Sequence, residues 1–146
     1  ETGHLVFSTL HTNSAISSIN RIVDAFPGEQ QNQIRTQLAD SLLMILSQRL
    51  IPGTNGHGRV LGFELLLNST PVQNAIRDKK SHIVDSIIQT SSDIGMITFD
   101  QRLCDLFSEG KITFETGMLH AHNQKLFQDL LRIKGMGQPY SYSMSK

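Results

Sequence analysis

The sequence holds a single cysteine, Cys104. One thiol excludes a disulfide framework and a cysteine metal cluster, and such scarcity fits a reducing, cytoplasmic compartment. Neither sign of charge is in excess: 13 Lys and Arg balance 13 Asp and Glu, for a formal net charge of zero. That balance argues against a dedicated nucleic-acid or anionic-membrane surface. No apolar run approaches the roughly 20 residues that a membrane-spanning helix needs, so membrane insertion is not expected. There is no signal-peptide pattern, internal repeat or low-complexity segment. The apolar share is 38 per cent of 146 residues, enough for the core of one helix-rich domain or a piece of one. The first residue is Glu rather than Met, and the simplest expectation is a fragment of a longer protein.

What is present is organised around Gly3-His4-Leu5-Val6-Phe7-Ser8-Thr9-Leu10-His11-Thr12-Asn13. Leu5 to Leu10 reads as a strand. Its residues alternate faces, and both faces are mostly apolar, which predicts a central strand covered on both sides. In open α/β sheets ligands bind beyond the carboxyl ends of strands, and His11 stands at that end. A strand of this kind needs neighbours on both edges, so the sheet is expected to be incomplete within these residues.

The spacing of Ile16, Ile19, Val23 and Phe26 predicts a helix over 14–26, capped by Thr12 or Asn13. Pro27-Gly28 breaks it. Ile34, Leu38, Leu42 and Ile45 predict a second helix running to about Leu46. Strands are expected at Gln48–Ile51 and Arg59–Leu67, joined by the turn-forming residues Pro52 to Gly58. Gly53 and Gly58 have the spacing of a phosphate-binding loop. Arg59-Val60 replaces the required Lys-Ser/Thr, however, and a strand follows, so this is a turn. From Ser69 helices follow one another. Thr70, with Pro71 and Gln73, caps the first. Ser81 to Thr90 forms the next. Thr98, Thr113 and Asn123 cap three more, with Gly110 and Gly135 as stops. Gln138 to Lys146 is polar and aperiodic, so a disordered tail is expected.

Glu1 to Thr12 resembles the His-box segment of secretion-type ATPases, and within them the type IV pilus retraction (twitching motility) ATPases. The resemblance continues through Arg21-Ile22-Val23-Asp24-Ala25-Phe26-Pro27, Ser47-Gln48-Arg49-Leu50-Ile51-Pro52, Gly58-Arg59-Val60 and Gly95-Met96-Ile97-Thr98-Phe99-Asp100. Beyond about Gly110 only the helical character matches. Extension and secretion relatives carry a paired-cysteine zinc insert after the Gln-Arg-Leu strand; here Leu50-Ile51-Pro52 passes straight into the turn, as on the retraction side. The family's phosphate-binding loop and acidic metal-and-water motif lie upstream of its His box, and this chain begins beside the box.

The resemblance implies an α/β fold: the second half of a RecA-like P-loop ATPase core over 1–68, a helical C-terminal region over 69–135, and the tail over 136–146. It implies a parent that binds ATP and Mg between the subunits of a homo-hexamer. That parent would be cytoplasmic and peripheral at the inner membrane, and would retract type IV pili with the inner-membrane platform and related pilus ATPases as partners. The isolated chain, without the phosphate-binding loop, is expected not to turn over ATP. Two other readings stay open, an accessory retraction ATPase and a non-catalytic helical partner-binding module.

Two histidines alone read as strand-end side chains. The resemblance assigns His11 to the terminal phosphate of a nucleotide or its attacking water, and His4 to a neighbouring catalytic contact. Pro71 to Asp78 is similar to the family's coupling helix, with Asn74, Ile76, Arg77 and Asp78 matching by type and Pro71, Gln73 and Ala75 departing. In the family that segment links turnover to retraction without being catalytic, and the resemblance implies the same role here. His57, His82, His120 and His122 read as surface residues, and no carboxylate spacing makes a metal site. Arg21, Arg49 and Arg59 are candidates for an arginine finger, none singled out. Cys104 has the helical phase of a core residue with nothing to depress its pKa.

Overall fold

A computed structural model describes residues 3–56 and 58–136. His57 and the tail from 137 on lie outside the described residues. The chain divides into two compact units. One comprises the residues up to Arg49 together with Phe63–Thr98; the other comprises Leu50–Gly62 and the residues from Phe99 on. The elements are mixed helix and sheet. Helices α1 (Ala15–Asp24) and α2 (Gln31–Ser41) are followed by strands β1 (Met44–Pro52) and β2 (Arg59–Leu67). Helices α3 (Thr70–Arg77), α4 (Val84–Thr90), α5 (Phe99–Ser108), α6 (Phe114–His120) and α7 (Gln124–Ile133) complete the chain.

In the first unit, α1 and α3 bury one face each, through Ala15, Ile19, Val72 and Ile76, against Leu66 of β2 and Ile88 of α4. Fully burying each Ile, Leu or Val side chain contributes about 1.5–3 kcal/mol. Leu65 and Ile97 exchange backbone hydrogen bonds of 2.9 and 3.2 Å as an antiparallel bridge. In the second unit, Ile51, Phe99, Leu103, Cys104 and Phe127 form the core. Two glycines there are required by packing. A Cβ on Gly62 would stand 2.6 Å from Ile51 Cδ1 and 2.9 Å from Phe99 Cε2, and one on Gly117 would collide with the Phe127 ring.

Four expectations are corrected. Leu5 to Leu10 is not a strand: the only sheet among the described residues pairs β1 with β2, and Leu5, Val6 and Phe7 are 66, 78 and 89 % exposed. A strand exists only through the partners in its ladder, and no described residue offers it one. Helix α2 stops at Ser41 instead of running to Leu46, and β1 starts at Met44 rather than Gln48. The side-chain amide of Asn68 donates to the carbonyls of Ala39 and Leu42 at 2.9 and 2.7 Å, satisfying the helix end from 29 and 26 residues away. The caps shift by one or two residues. Ser14, not Thr12 or Asn13, caps α1; Ser69 takes the N-cap position of α3 in place of Thr70, without the expected capping-box bond. Ser81 to Thr90 opens as a 3₁₀ turn over Ser81–Ile83 before α4 begins.

Three helices end alike. The amide two residues past the C-cap returns to the carbonyl five residues earlier: Lys80 to Ala75, Lys111 to Leu106 and Met136 to Leu131, at 2.8, 2.9 and 2.9 Å. This closure needs a left-handed residue just past the cap. Gly110 and Gly135 supply it at φ 68° and 71°, whereas α3 uses Lys79 at φ 60°. The left-handed region costs a residue with a Cβ about 1–2 kcal/mol. Glycine's greater freedom when unfolded takes back part of that. Lys79→Gly is therefore expected to stabilise the protein by roughly 0.5–1 kcal/mol, read as a higher urea midpoint. A lower midpoint would refute the strain at Lys79.

Candidate functional site

His4 and His11 lie on the exposed segment that leads into α1. The end of that segment is fixed by its own sequence. Ser14 and Ser17 form a reciprocal cap: the Ser17 amide donates to Ser14 Oγ at 3.2 Å and the Ser14 amide to Ser17 Oγ at 3.1 Å. The Thr12 and Ser18 hydroxyls share a hydrogen bond of 2.6 Å. His11 thus sits one residue outside an ordered turn, with its side chain toward solvent.

The first amide of α1 is held from elsewhere. Glu64 Oε1 accepts from the Ala15 N–H at 2.7 Å, and Glu64 is only 2 % exposed. Inward positions of β2 run Gly62, Glu64, Leu66. A carboxylate among apolar inward positions must be paired, and the positive end of a helix is a suitable partner. Because Glu64 and the Ser14–Ser17 cap occupy that end, α1 does not offer a phosphate cradle. Sequence reasoning missed Glu64. The detectable signal was a carboxylate in the inward phase of an apolar strand.

The candidate coupling residues gather on α3. Ile76 is fully buried, whereas Asn74, Arg77 and Asp78 are exposed. Arg77 ends the helix and forms an ion pair with Asp40 of α2. Asp78, the C-cap, pairs with Lys80 at 3.5 Å. Both pairs are solvent-exposed and are worth about 0.2–1 kcal/mol at most. Of the candidate arginines, Arg21 and Arg59 are exposed and Arg49 is half-buried. Arg35 of α2 was not singled out from sequence, yet its Nε and Nη1 are shielded and have no hydrogen-bond partner among the described residues.

The second unit has its own buried carboxylate. Asp100, 4 % exposed, accepts from the backbone N–H of His122 at 2.8 Å and of Asn123 at 2.9 Å, one through each oxygen. Asn123 Oδ1 in turn caps α7, accepting from the Leu126 amide at 3.0 Å. His122 stacks on Phe99 with ring centroids 5.0 Å apart. It lies past the end of α6, which stops at His120. Cys104 is fully buried, with its Sγ 3.6 Å from the Phe127 carbonyl. Burial pushes its thiol up to about 12, Lys134 opposing and Asp100 and Asp105 assisting. It is therefore a neutral packing group and not a nucleophile. Lys111, with Arg102, holds the exposed Glu109 carboxyl below the usual range. Among the described residues no three His, Cys, Asp or Glu side chains converge on a possible metal position, and no helix is long and apolar enough to cross a membrane.

The sequence model of the type II/IV secretion system protein family matches residues 1–82. The chain is 41 % identical over 125 residues to a twitching motility protein of Neisseria gonorrhoeae, covering 86 % of this chain and 33 % of that protein. It is 44 % identical over 115 residues to the type IV pilus retraction ATPase PilT of Pseudomonas aeruginosa, covering 79 % of this chain and 33 % of that one. Its structure resembles that of the pilus retraction motor PilT solved with ADP, at TM-score 0.76 and 47 % identity, over 86 % of this chain and 35 % of that one. The chain spans about a third of the length of these relatives. With more than half of its residues matching that family, the chain belongs to the type II/IV secretion system proteins.

Proposed function

We propose that these residues are part of an ATPase that retracts type IV pili. On this reading residues 1–68 are the second half of a RecA-like core and 69–135 a helical region that follows it. The whole protein binds Mg-ATP between the subunits of a homo-hexamer at the cytoplasmic side of the inner membrane and acts on the pilus platform. The observation that carries the reading is the likeness, in sequence and in structure, to a retraction motor solved with ADP. In the organism that makes the protein, deleting its gene abolishes twitching while leaving pili on the surface. Bald cells, or unchanged twitching, would reject the reading. An accessory retraction ATPase is the second reading, favoured by Pro71, Gln73 and Ala75 in the coupling helix. It is distinguished by failure of the gene, supplied alone, to restore twitching to a strain without a main retraction ATPase.

Within this reading His11 contacts the terminal phosphate or its attacking water, and His4 serves a neighbouring contact. The exposed imidazole one residue before the ordered Thr12–Ser18 turn supports that assignment. A donor acting on charge that develops during phosphoryl transfer contributes in the transition state rather than in binding. In the full-length protein His11→Ala is expected to lower kcat by about 10²-fold and to leave ADP affinity little changed. Equal loss of ADP binding and turnover would make His11 a packing residue instead.

A further inference from the structure

We propose that Glu64 is a positioning residue for His11, an inference that rests on the nucleotide-sensing reading of His11 above. Three contacts fix where the His11 segment meets α1. Two are local, the Ser14–Ser17 cap and the Thr12–Ser18 hydroxyl pair. They set the shape of the turn but not its place against the sheet. The third spans 49 residues: Glu64 Oε1 on the Ala15 N–H at 2.7 Å. It joins the first residue of the helix to an inward position of β2.

The chemistry suits a fixed anchor. Glu64 is buried, and a polar group taken out of water must keep its hydrogen bonds. Ala15 is fully buried beside it, so the first turn of α1 cannot shift without moving core side chains. His11 lies four residues before Ala15 and is tied to the helix through Thr12. The carboxylate therefore acts on the position of the imidazole through the first turn of α1.

The test is a cycle on the full-length protein with Mg-ATP turnover as readout. Glu64→Asp withdraws the carboxylate by about 1.5 Å, one carbon–carbon bond. Glu64→Gln keeps the length and an accepting oxygen. Glu64→Asp is expected to lower kcat by about tenfold to a hundredfold with KM for ATP unchanged, and Glu64→Gln to restore most of the rate. In a His11→Ala background Glu64→Asp should then have no further effect, because both changes remove the same interaction. Additive losses, or a KM that rises as kcat falls, overturn the positioning role while the reading of His11 stands. Unchanged turnover in His11→Ala removes that reading, and the inference with it. Should Glu64→Asp not fold, Glu64→Gln decides. Full turnover with the Ala15 amide still slow to exchange supports the role. Lost turnover with the same protection and melting temperature refutes it.

Discussion

Asp100→Ala is expected to destabilise the second unit by about 3–5 kcal/mol. The carboxylate receives one backbone N–H on each oxygen, from His122 and from Asn123. Asp100 is itself buried, so alanine leaves two partly shielded donors without partners. Each unsatisfied donor costs about 1–3 kcal/mol. The loss also spreads, because Asn123 is the N-cap of α7 and that helix supplies Phe127 and Leu131 to the core. Asp100→Asn separates the two contributions. Its oxygen still accepts one amide, but its NH₂ group faces the other donor, so about half the loss is expected, roughly 2 kcal/mol. Urea unfolding gives the totals, and amide exchange at Leu126 and Phe127 shows whether α7 frays first. An Asp100→Ala midpoint equal to that of an exposed control such as Asp129→Ala would mean that the two amides find water as readily as the carboxylate.

What the sequence disclosed, and what it hid, divides by distance along the chain. Strand β2 was legible to the residue, and so were the caps at Thr113 and Asn123 and the stops at Gly110 and Gly135. Each depends on atoms within a few positions: Thr113 Oγ1 takes the Thr116 amide at 3.2 Å, and Gly110 supplies its own left-handed φ. The end of α2 was not legible. Leu42 to Leu46 is apolar in both helical and strand phase, and the choice falls to Asn68, which caps the helix from beyond β2. The strand proposed at Leu5 failed for the complementary reason. Its composition is that of a buried strand, but a ladder is a property of two segments. The same division runs through the candidate site. His11 and the α3 residues are candidates because they lie in continuous motifs. Glu64 and Asp100 act on backbone 49 and 22 residues away and carry no local signature beyond a charge in an apolar phase.

On the proposed function, replacing both Arg77 and Asp78 by alanine is expected to abolish twitching while leaving ATP hydrolysis by the full-length protein largely intact. Folding gives little reason for these charges. Arg77 reaches Asp40 with its side chain 35 % exposed, and Asp78 and Lys80 are each 57 % exposed; pairs of this kind are worth about 0.2–1 kcal/mol. The neighbouring Ile76 is different. It is fully buried, so its truncation would cost about 2–5 kcal/mol through the core and could not report on coupling. Asn74, Arg77 and Asp78 are the positions where output and folding can be separated, and on the proposed function they would contact another subunit or the pilus machinery. The ion pair with Asp40 provides the control. If Arg77 serves only to tie α3 to α2, Asp40→Ala breaks the same tie and stops motility equally. If Arg77 meets a partner, Asp40→Ala frees the guanidinium rather than removing it, and twitching persists. Motility and phosphate release are measured for the same variants. Normal twitching in the double variant, or ATP hydrolysis falling in step with motility, would dismiss a coupling role for the end of α3.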